Sequence, residues 1–205
     1  MSYEPTIYVV DDDQAIRSSL KWLIESIGMR VRTFESADEF LASYYPGGAG
    51  CLLLDVRMPG MSGLELQTHL ASREIELPVI IITGHGDVAM AVKAMKAGAV
   101  DFIEKPFHDE ALLGSIRNAL THGERKRSLR FQRAEIAARL AELTPREHEV
   151  MEMVTEGASN REIAAALGVS AKTVEAHRAR VMDKMRASSL AELVRMALIA
   201  GGDQP

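Results

Sequence analysis

The sequence predicts an α/β, doubly wound domain with five parallel strands, followed by an all-α domain of four short helices. Three observations predict it. Five short apolar runs alternate with amphipathic stretches in the first 121 residues, as expected of a parallel sheet buried on both faces. The second half carries no strand signal and repeats helix-start motifs instead. The charge divides as well: residues 1–121 hold 10 Lys+Arg against 17 Asp+Glu, and residues 122–205 hold 14 against 12. An acidic front and a mildly basic back imply two tasks.

The strands are expected at residues 6–10, 30–34, 50–54, 78–82 and 100–103. Helices are expected at 14–27, 37–45, 64–72, 87–97 and 109–120, the first stopped at Gly28 and the fourth at Gly98. Glycine just past a periodic stretch is a helix stop because it enters the left-handed region freely. Residues 122–137 change character: Arg125, Lys126, Arg127, Arg130 and Arg133 form a basic run without proline. This reads as a charged helical linker, in which Gly123 can interrupt the helix. Its apolar positions leave a solvated helix and a dimerising coiled coil equally open.

Beyond the linker, residues 138–205 form the second domain. Thr144-Pro145-Arg146-Glu147 is a capping box with proline in the first turn. Ser159-Asn160-Arg161-Glu162 is a second, and Ser189-Leu190-Ala191-Glu192 a third. Leu167-Gly168-Val169-Ser170 ends one helix and starts the next. Short helices joined by a tight glycine turn make a helix-turn-helix, expected at about residues 161–180.

A hydrophobic content of 47% is enough for packed cores and excludes a disordered chain. The longest apolar runs are far too short to cross a membrane, and no basic-plus-apolar leader opens the sequence. Cys51 is the one cysteine; it sits in an apolar run, which excludes an internal disulfide and fits a reducing cytoplasm. With a net charge of −5, any nucleic-acid binding must fall to the back half.

Chemistry concentrates at strand ends. Asp11, Asp12 and Asp13 follow the first strand, Asp55 the third, Thr83 the fourth and Lys105 the fifth. In the flavodoxin-like strand order the first and third strands are neighbours, so their carboxyl ends converge. Carboxylates crowded together need a cation. Oxygen-only donors without His or Cys suit Mg2+ (or Mn2+). A carboxylate nucleophile among cations and a hydroxyl fits phosphoryl transfer.

Val9-Val10-Asp11-Asp12-Asp13, the stretch from Leu54-Asp55-Val56-Arg57 to Ser62-Gly63, Ile82-Thr83-Gly84-His85 and Phe102-Ile103-Glu104-Lys105-Pro106-Phe107 resemble the receiver domain of two-component response regulators. The resemblance covers residues 6–120. It implies that Asp55 accepts the phosphoryl group. Asp11, Asp12, Asp55 and the Arg57 carbonyl would hold the metal, with Asp13 outside that set. Thr83 and Lys105 would stabilise the phosphoryl group, and Phe102 would be the aromatic switch. Gly84 would leave the site open, and the Lys105–Pro106 bond would be cis. Val88, Val92 and Met95 are candidates for a receiver dimer face, although Met at helical spacing more often packs in a core.

Residues 138–202 resemble the LuxR/NarL-type helix-turn-helix, through Leu143-Thr144-Pro145-Arg146-Glu147 and Ser170-Ala171-Lys172-Thr173-Val174-Glu175-Ala176-His177-Arg178. The recognition helix is expected over residues 171–185. Placing Val174 inward puts Val181 and Met185 on the same stripe. Ala176 and Ala179 then face the groove, with Glu175 and Arg180 at the edges for cytosine and guanine. Lys172 and Thr173 suit phosphate, and His177, Arg178 and Lys184 suit the DNA backbone from the flanks. Asp183 is expected beyond the groove or paired with an arginine.

Together the motifs resemble response regulators of the FixJ type. That implies a phosphorylation-activated transcriptional activator of nitrogen-fixation-type genes. Its partners would be a sensor histidine kinase, double-stranded promoter DNA and RNA polymerase, and it would form a homodimer when phosphorylated. Only weak self-phosphorylation and autodephosphorylation are expected, not enzyme turnover. A phosphatase of the haloacid dehalogenase type would need a second aspartate two residues after the nucleophile, where Arg57 stands. A constitutive DNA binder would have no use for the complete acidic site.

Overall fold

The computed structural model describes residues 4–45, 48–84 and 86–201. It divides into two compact units, residues 1–127 and 128–205.

The first unit contains β1 (Thr6–Val10), α1 (Gln14–Ser26), β2 (Arg30–Phe34), α2 (Ala37–Ser43), β3 (Gly50–Asp55), α3 (Gly63–Ser72), β4 (Val79–Thr83), α4 (Val88–Lys96) and β5 (Asp101–Glu104). All strand pairs are parallel, in the order β2-β1-β3-β4-β5. The predicted fold class holds. The fourth and fifth strands sit one residue later than the apolar runs predict, because pairing through Thr83 and Glu104 extends each into its polar end.

Side-chain alternation splits the sheet's residues between two cores. Tyr8, Val10, Leu52, Leu54, Val79 and Ile81 face Phe40, Leu66, Leu70 and Ala94 of α2, α3 and α4. Ile7, Val9, Cys51, Leu53, Ile80 and Ile82 face Leu20 and Ile24 of α1 and Leu112, Ile116 and Ala119 of the next helix. Each such fully buried aliphatic side chain contributes about 1.5–3 kcal/mol, so this doubly covered sheet is the rigid part of the unit.

The helix α5 runs from Asp109 to Ala141 without a break. The sequence allowed Gly123 to interrupt it. Instead, a Cβ there would lie 2.7 Å from Pro78 Cγ. The glycine is required by packing, since it lets the helix pass the start of β4. Lys126 pairs with Glu76 at 3.4 Å, and Arg127 donates to the Gly48 carbonyl at 3.2 Å. Residues 122–127, read as linker, thus pack with the first unit, while Ile136 joins the core of the second.

The second unit adds α6 (Pro145–Thr155), α7 (Asn160–Leu167), α8 (Ala171–Met185) and α9 (Leu190–Gly201). The capping boxes Thr144–Glu147 and Ser159–Glu162 both close reciprocally. The third differs. Ser189 Oγ accepts from Glu192 N, but the Glu192 carboxylate turns to the backbone and hydroxyl of Ser188. Gly168 ends α7 at φ +66, and Ser170 caps α8 by accepting from Thr173 N. Val174, Val181 and Met185 are buried among Val150, Val154, Ile163 and Leu193, so the predicted inward stripe of α8 is the buried one.

Candidate functional site

The register builds the first site. Val10 pairs with Leu54, so Asp11 and Asp55 leave the sheet side by side. Asp55 pairs with Ile82 and Thr83 with Glu104, which brings Thr83 and Lys105 to the same edge. Asp11, Asp55 and Thr83 are all buried. The Lys105 ammonium lies between the two carboxylates, 2.6 Å from Asp11 Oδ2 and 3.0 Å from Asp55 Oδ1. The second oxygen of Asp55 accepts from the Arg57 backbone N–H at 2.6 Å. The main chain of Lys105 donates to the Thr83 carbonyl at 2.8 Å.

Burial pushes the Asp55 carboxyl above its ordinary range, and the Lys105 and Arg57 hydrogen bonds only partly offset it. Burial also pulls on Lys105, but its hydrogen bonds to Asp11 and Asp55 outweigh that and hold the ammonium above its usual range. The site is therefore a desolvated acid held ionic by one lysine. Such a carboxylate gains from any further cation or donor that reaches it.

Asp12, next to Asp11 on the same loop, is exposed. Among the described residues no three His, Cys, Asp or Glu side chains gather closely enough to share an ion. The Lys105 ammonium compensates Asp11 and Asp55. The donors Asp11, Asp12, Asp55 and the Arg57 carbonyl are all oxygens, and that chemistry fits Mg2+, which takes few protein ligands and keeps water. Asp13 is the N-cap of α1, accepting from the Ala15 and Ile16 N–H groups.

Gly63, the first residue of α3, was not singled out in the sequence. A Cβ there would lie 2.1 Å from the Asp55 carbonyl oxygen. Only glycine lets α3 begin directly on the Asp55 backbone. Phe102 is half-buried and packs against the α3 and α4 side of the sheet. Its Cε1 would lie 2.9 Å from a Cβ on Gly86, whereas Gly84 has open space around it. Gly86 is therefore the residue that admits the ring. His85, between them, lies outside the described residues. The Lys105–Pro106 bond is cis. On α4, Val88, Val92 and Met95 are exposed by 81%, 48% and 47%, so here the methionine faces outward with the two valines.

In the second unit, Lys172, Thr173, Glu175, Ala176, Ala179 and Arg180 of α8 are all exposed. Asp183 is exposed too. Two of the expected DNA contacts, Lys184 and Arg178, are engaged within the domain. The Lys184 ammonium lies 2.6 Å from Glu147 Oε2 and donates to the Glu142 carbonyl at 3.0 Å. Arg178 donates to Asn160 Oδ1 on α7 at 2.8 Å. Their reason is internal. The Glu147 side chain is 3% exposed, and a buried carboxylate needs a cation. His177 is half-buried, with its Nδ1 shielded from solvent. Arg139 and Arg146, which a charge count would give to DNA, donate to the Met185 and Leu167 carbonyls at helix ends. Side-chain identity alone did not separate fasteners from contacts.

No helix among the described residues is long and apolar enough to cross a membrane.

Residues 7–117 match the family model described as response regulator receiver domain, and residues 141–197 match bacterial regulatory proteins, luxR family. The chain is 49% identical to the transcriptional regulatory protein FixJ of Azorhizobium caulinodans, over 95% of this chain and 92% of that protein. It is 46% identical to nodulation protein W of Bradyrhizobium diazoefficiens, over 98% and 88%. It is also 46% identical to response regulator protein TodT of Pseudomonas putida, over 93% and 84%. Among solved structures, response regulator StyR aligns with a TM-score of 0.83 at 42% identity, over 95% of this chain and 98% of that one. Full-length FixJ from B. japonicum aligns with a TM-score of 0.59 at 45% identity, over 99% and 100%. With a receiver edge at Asp55 and a helix-turn-helix at α7–α8, this chain belongs to the two-component response regulators with a LuxR-type DNA-binding domain, and is FixJ-like.

Proposed function

We propose that this chain is a phosphorylation-activated transcriptional activator that takes a phosphoryl group on Asp55 from a sensor histidine kinase. The observation that carries the proposal is the buried Asp55 carboxylate, held between the Lys105 ammonium and the Arg57 N–H. An Asp55 oxygen forms the new bond to phosphorus as the donor's phosphorus–nitrogen bond breaks. Lys105 neutralises the incoming oxygens, and Thr83 at the neighbouring strand end supplies a hydroxyl. Asp11, Asp12, Asp55 and the Arg57 carbonyl would hold Mg2+, which supplies charge neutralisation between the carboxylates and the phosphoryl group.

The output follows from geometry. A hydroxyl drawn toward the phosphoryl group leaves room beside Thr83 that Phe102 can enter, because Gly86 offers no side chain there. That remodels α4, whose exposed Val88, Val92 and Met95 form the dimer face. A homodimer delivers two α8 helices to half-sites about one helical turn apart. Promoter binding in the cytoplasm and recruitment of RNA polymerase complete the reading. Turnover beyond weak self-phosphorylation and autodephosphorylation is not part of it. The target genes we assign are of the nitrogen-fixation type, on the strength of the FixJ relatives.

The test is sedimentation and promoter binding of the full chain with and without a small phosphodonor. Phosphorylated wild type dimerises and binds more tightly, and Asp55→Asn does neither. An Asp55→Asn protein that binds as tightly as phosphorylated wild type sinks the proposal. Selection of bound genomic fragments decides the target: enrichment upstream of unrelated genes removes the nitrogen-fixation assignment.

A further inference from the structure

The loop after β1 must hold two carboxylates at one sheet edge, and its main chain is wired for that. Asp11 N donates to the Phe34 carbonyl at 3.3 Å. Asp13 N donates to Asp11 Oδ1 at 2.9 Å. Asp13 Oδ1 accepts from Ala15 N at 2.7 Å. The three aspartate carbonyls remain, and all three accept from one residue. Arg17 Nη1 donates to Asp11 O at 2.7 Å and to Asp12 O at 2.9 Å. Arg17 N donates to Asp13 O at 3.0 Å. Arg17 sits one turn into α1 and is half-buried.

A cation beside three aspartates eases their mutual repulsion, but it does not serve the binding of a dication. A fixed cation beside carboxylates that bind a dication weakens that binding. Consecutive carbonyls that converge on one donor have the opposite consequence. They fix the turn, so that Asp11 and Asp12 leave it in set directions. The exposed Asp12 carboxylate has no side-chain partner among the described residues to hold it, so the backbone turn is what aims it.

We infer that Arg17 is a positioning residue for Asp11 and Asp12, gripping the acidic loop from behind so that its carboxylates are set for a divalent cation. The inference rests on the reading of Asp11 and Asp12 as metal ligands. It gives Arg17 two opposed effects on the cation, a geometric gain and an electrostatic loss, with the gain dominant.

The two effects have opposite signs in experiment. Mg2+ alone is titrated into the full chain by calorimetry, with the melting point recorded in the absence of Mg2+. Arg17→Met keeps the stem and removes both donors and charge. It is expected to weaken Mg2+ binding about tenfold, the lower end of the range for groups that orient metal ligands. Arg17→Lys keeps the charge, but its shorter stem does not carry a donor to the place of Nη1 between the two carbonyls, and it is expected to fall between Met and wild type. If Arg17→Met does not fold, weakened binding by a folded Arg17→Lys supports the inference and wild-type affinity overturns it. Equal or tighter binding by Arg17→Met shows that the charge outweighs the geometry and overturns it alone. Absence of Mg2+ binding by wild type overturns the metal reading and this inference together.

Discussion

Replacing Lys184 by glutamine separates a structural cation from a DNA contact. Its ammonium sits 2.6 Å from Glu147 Oε2, and the Glu147 side chain is 3% exposed against 31% for the lysine. The carboxylate is held down to a pKa of about 2, first by Lys184 and then by the Thr144 backbone N–H. Without Lys184 that buried charge keeps only the Thr144 cap. Removing one partner of a buried pair costs about 3–5 kcal/mol. The partial exposure of Lys184 lets water replace some of it, so the expected loss is about 2 kcal/mol. For a unit of this size that lowers the melting point by about 10 °C. Scanning calorimetry of the full chain measures it. The pH dependence has a defined sign. Glu147 titrates below its ordinary value when folded, so its contribution is complete above about pH 4.5 and is lost as pH falls toward about 2. In Lys184→Gln that acid-linked loss shrinks. The salt slope of DNA binding is expected to stay unchanged, since each phosphate that a cation ceases to neutralise would lower it by about 0.9. An unchanged melting point with a slope reduced by that amount would overturn the structural role and return Lys184 to the DNA.

Other outcomes follow from the same geometry. Because the folded state raises the Asp55 pKa, its ionised form costs stability above its ordinary range. Asp55→Asn is expected to be about 1 kcal/mol more stable than wild type near pH 7, with the gap narrowing as pH falls through the raised folded value and closed below about 4; melting curves at about pH 7 and below about pH 4 check this, and a less stable variant at pH 7 contradicts it. Ala176→Asp places a carboxylate on the exposed face of α8 and is expected to abolish specific DNA binding, with phosphorylation by a small donor unchanged; unaltered binding means the reading face is misassigned. Gly123→Ala should favour an isolated helix by about 1 kcal/mol, yet the Cβ 2.7 Å from Pro78 Cγ should reverse the sign and lower the receiver's stability by about 1 kcal/mol, as urea denaturation would show.

How much the sequence revealed depends on the range of the interaction involved. Strand periodicity and caps are local, so five strands, the capped helices and the inward stripe of Val174, Val181 and Met185 were legible from residue order. The meeting of Asp11, Asp55 and Lys105 was legible because parallel register is a simple rule: neighbouring strands end together, whatever lies between them in the chain. What was not legible depends on contacts between elements that no period records. Gly123 looks like a helix breaker until Pro78 stands against it, and Lys184 looks like a phosphate contact until Glu147 is found buried beneath it.

The basic residues show why this matters for function. A DNA-binding unit this weakly basic cannot spend every cation on phosphate. Arg139, Arg146, Arg178 and Lys184 all donate to groups inside the unit, which leaves Lys172 and Arg180 as the exposed cations of α8 outside the helix's last turn. Two cations neutralise few phosphates, and affinity for DNA rises steeply with the number neutralised. The unit also exposes Arg161, Arg186 and Arg195; under the proposed function, one copy would still neutralise few phosphates, and two copies held together would add their contacts at a high effective concentration. On the proposed function, the sparing use of charge on α8 would make occupancy of DNA depend on pairing, the step that a phosphoryl group on Asp55 would control.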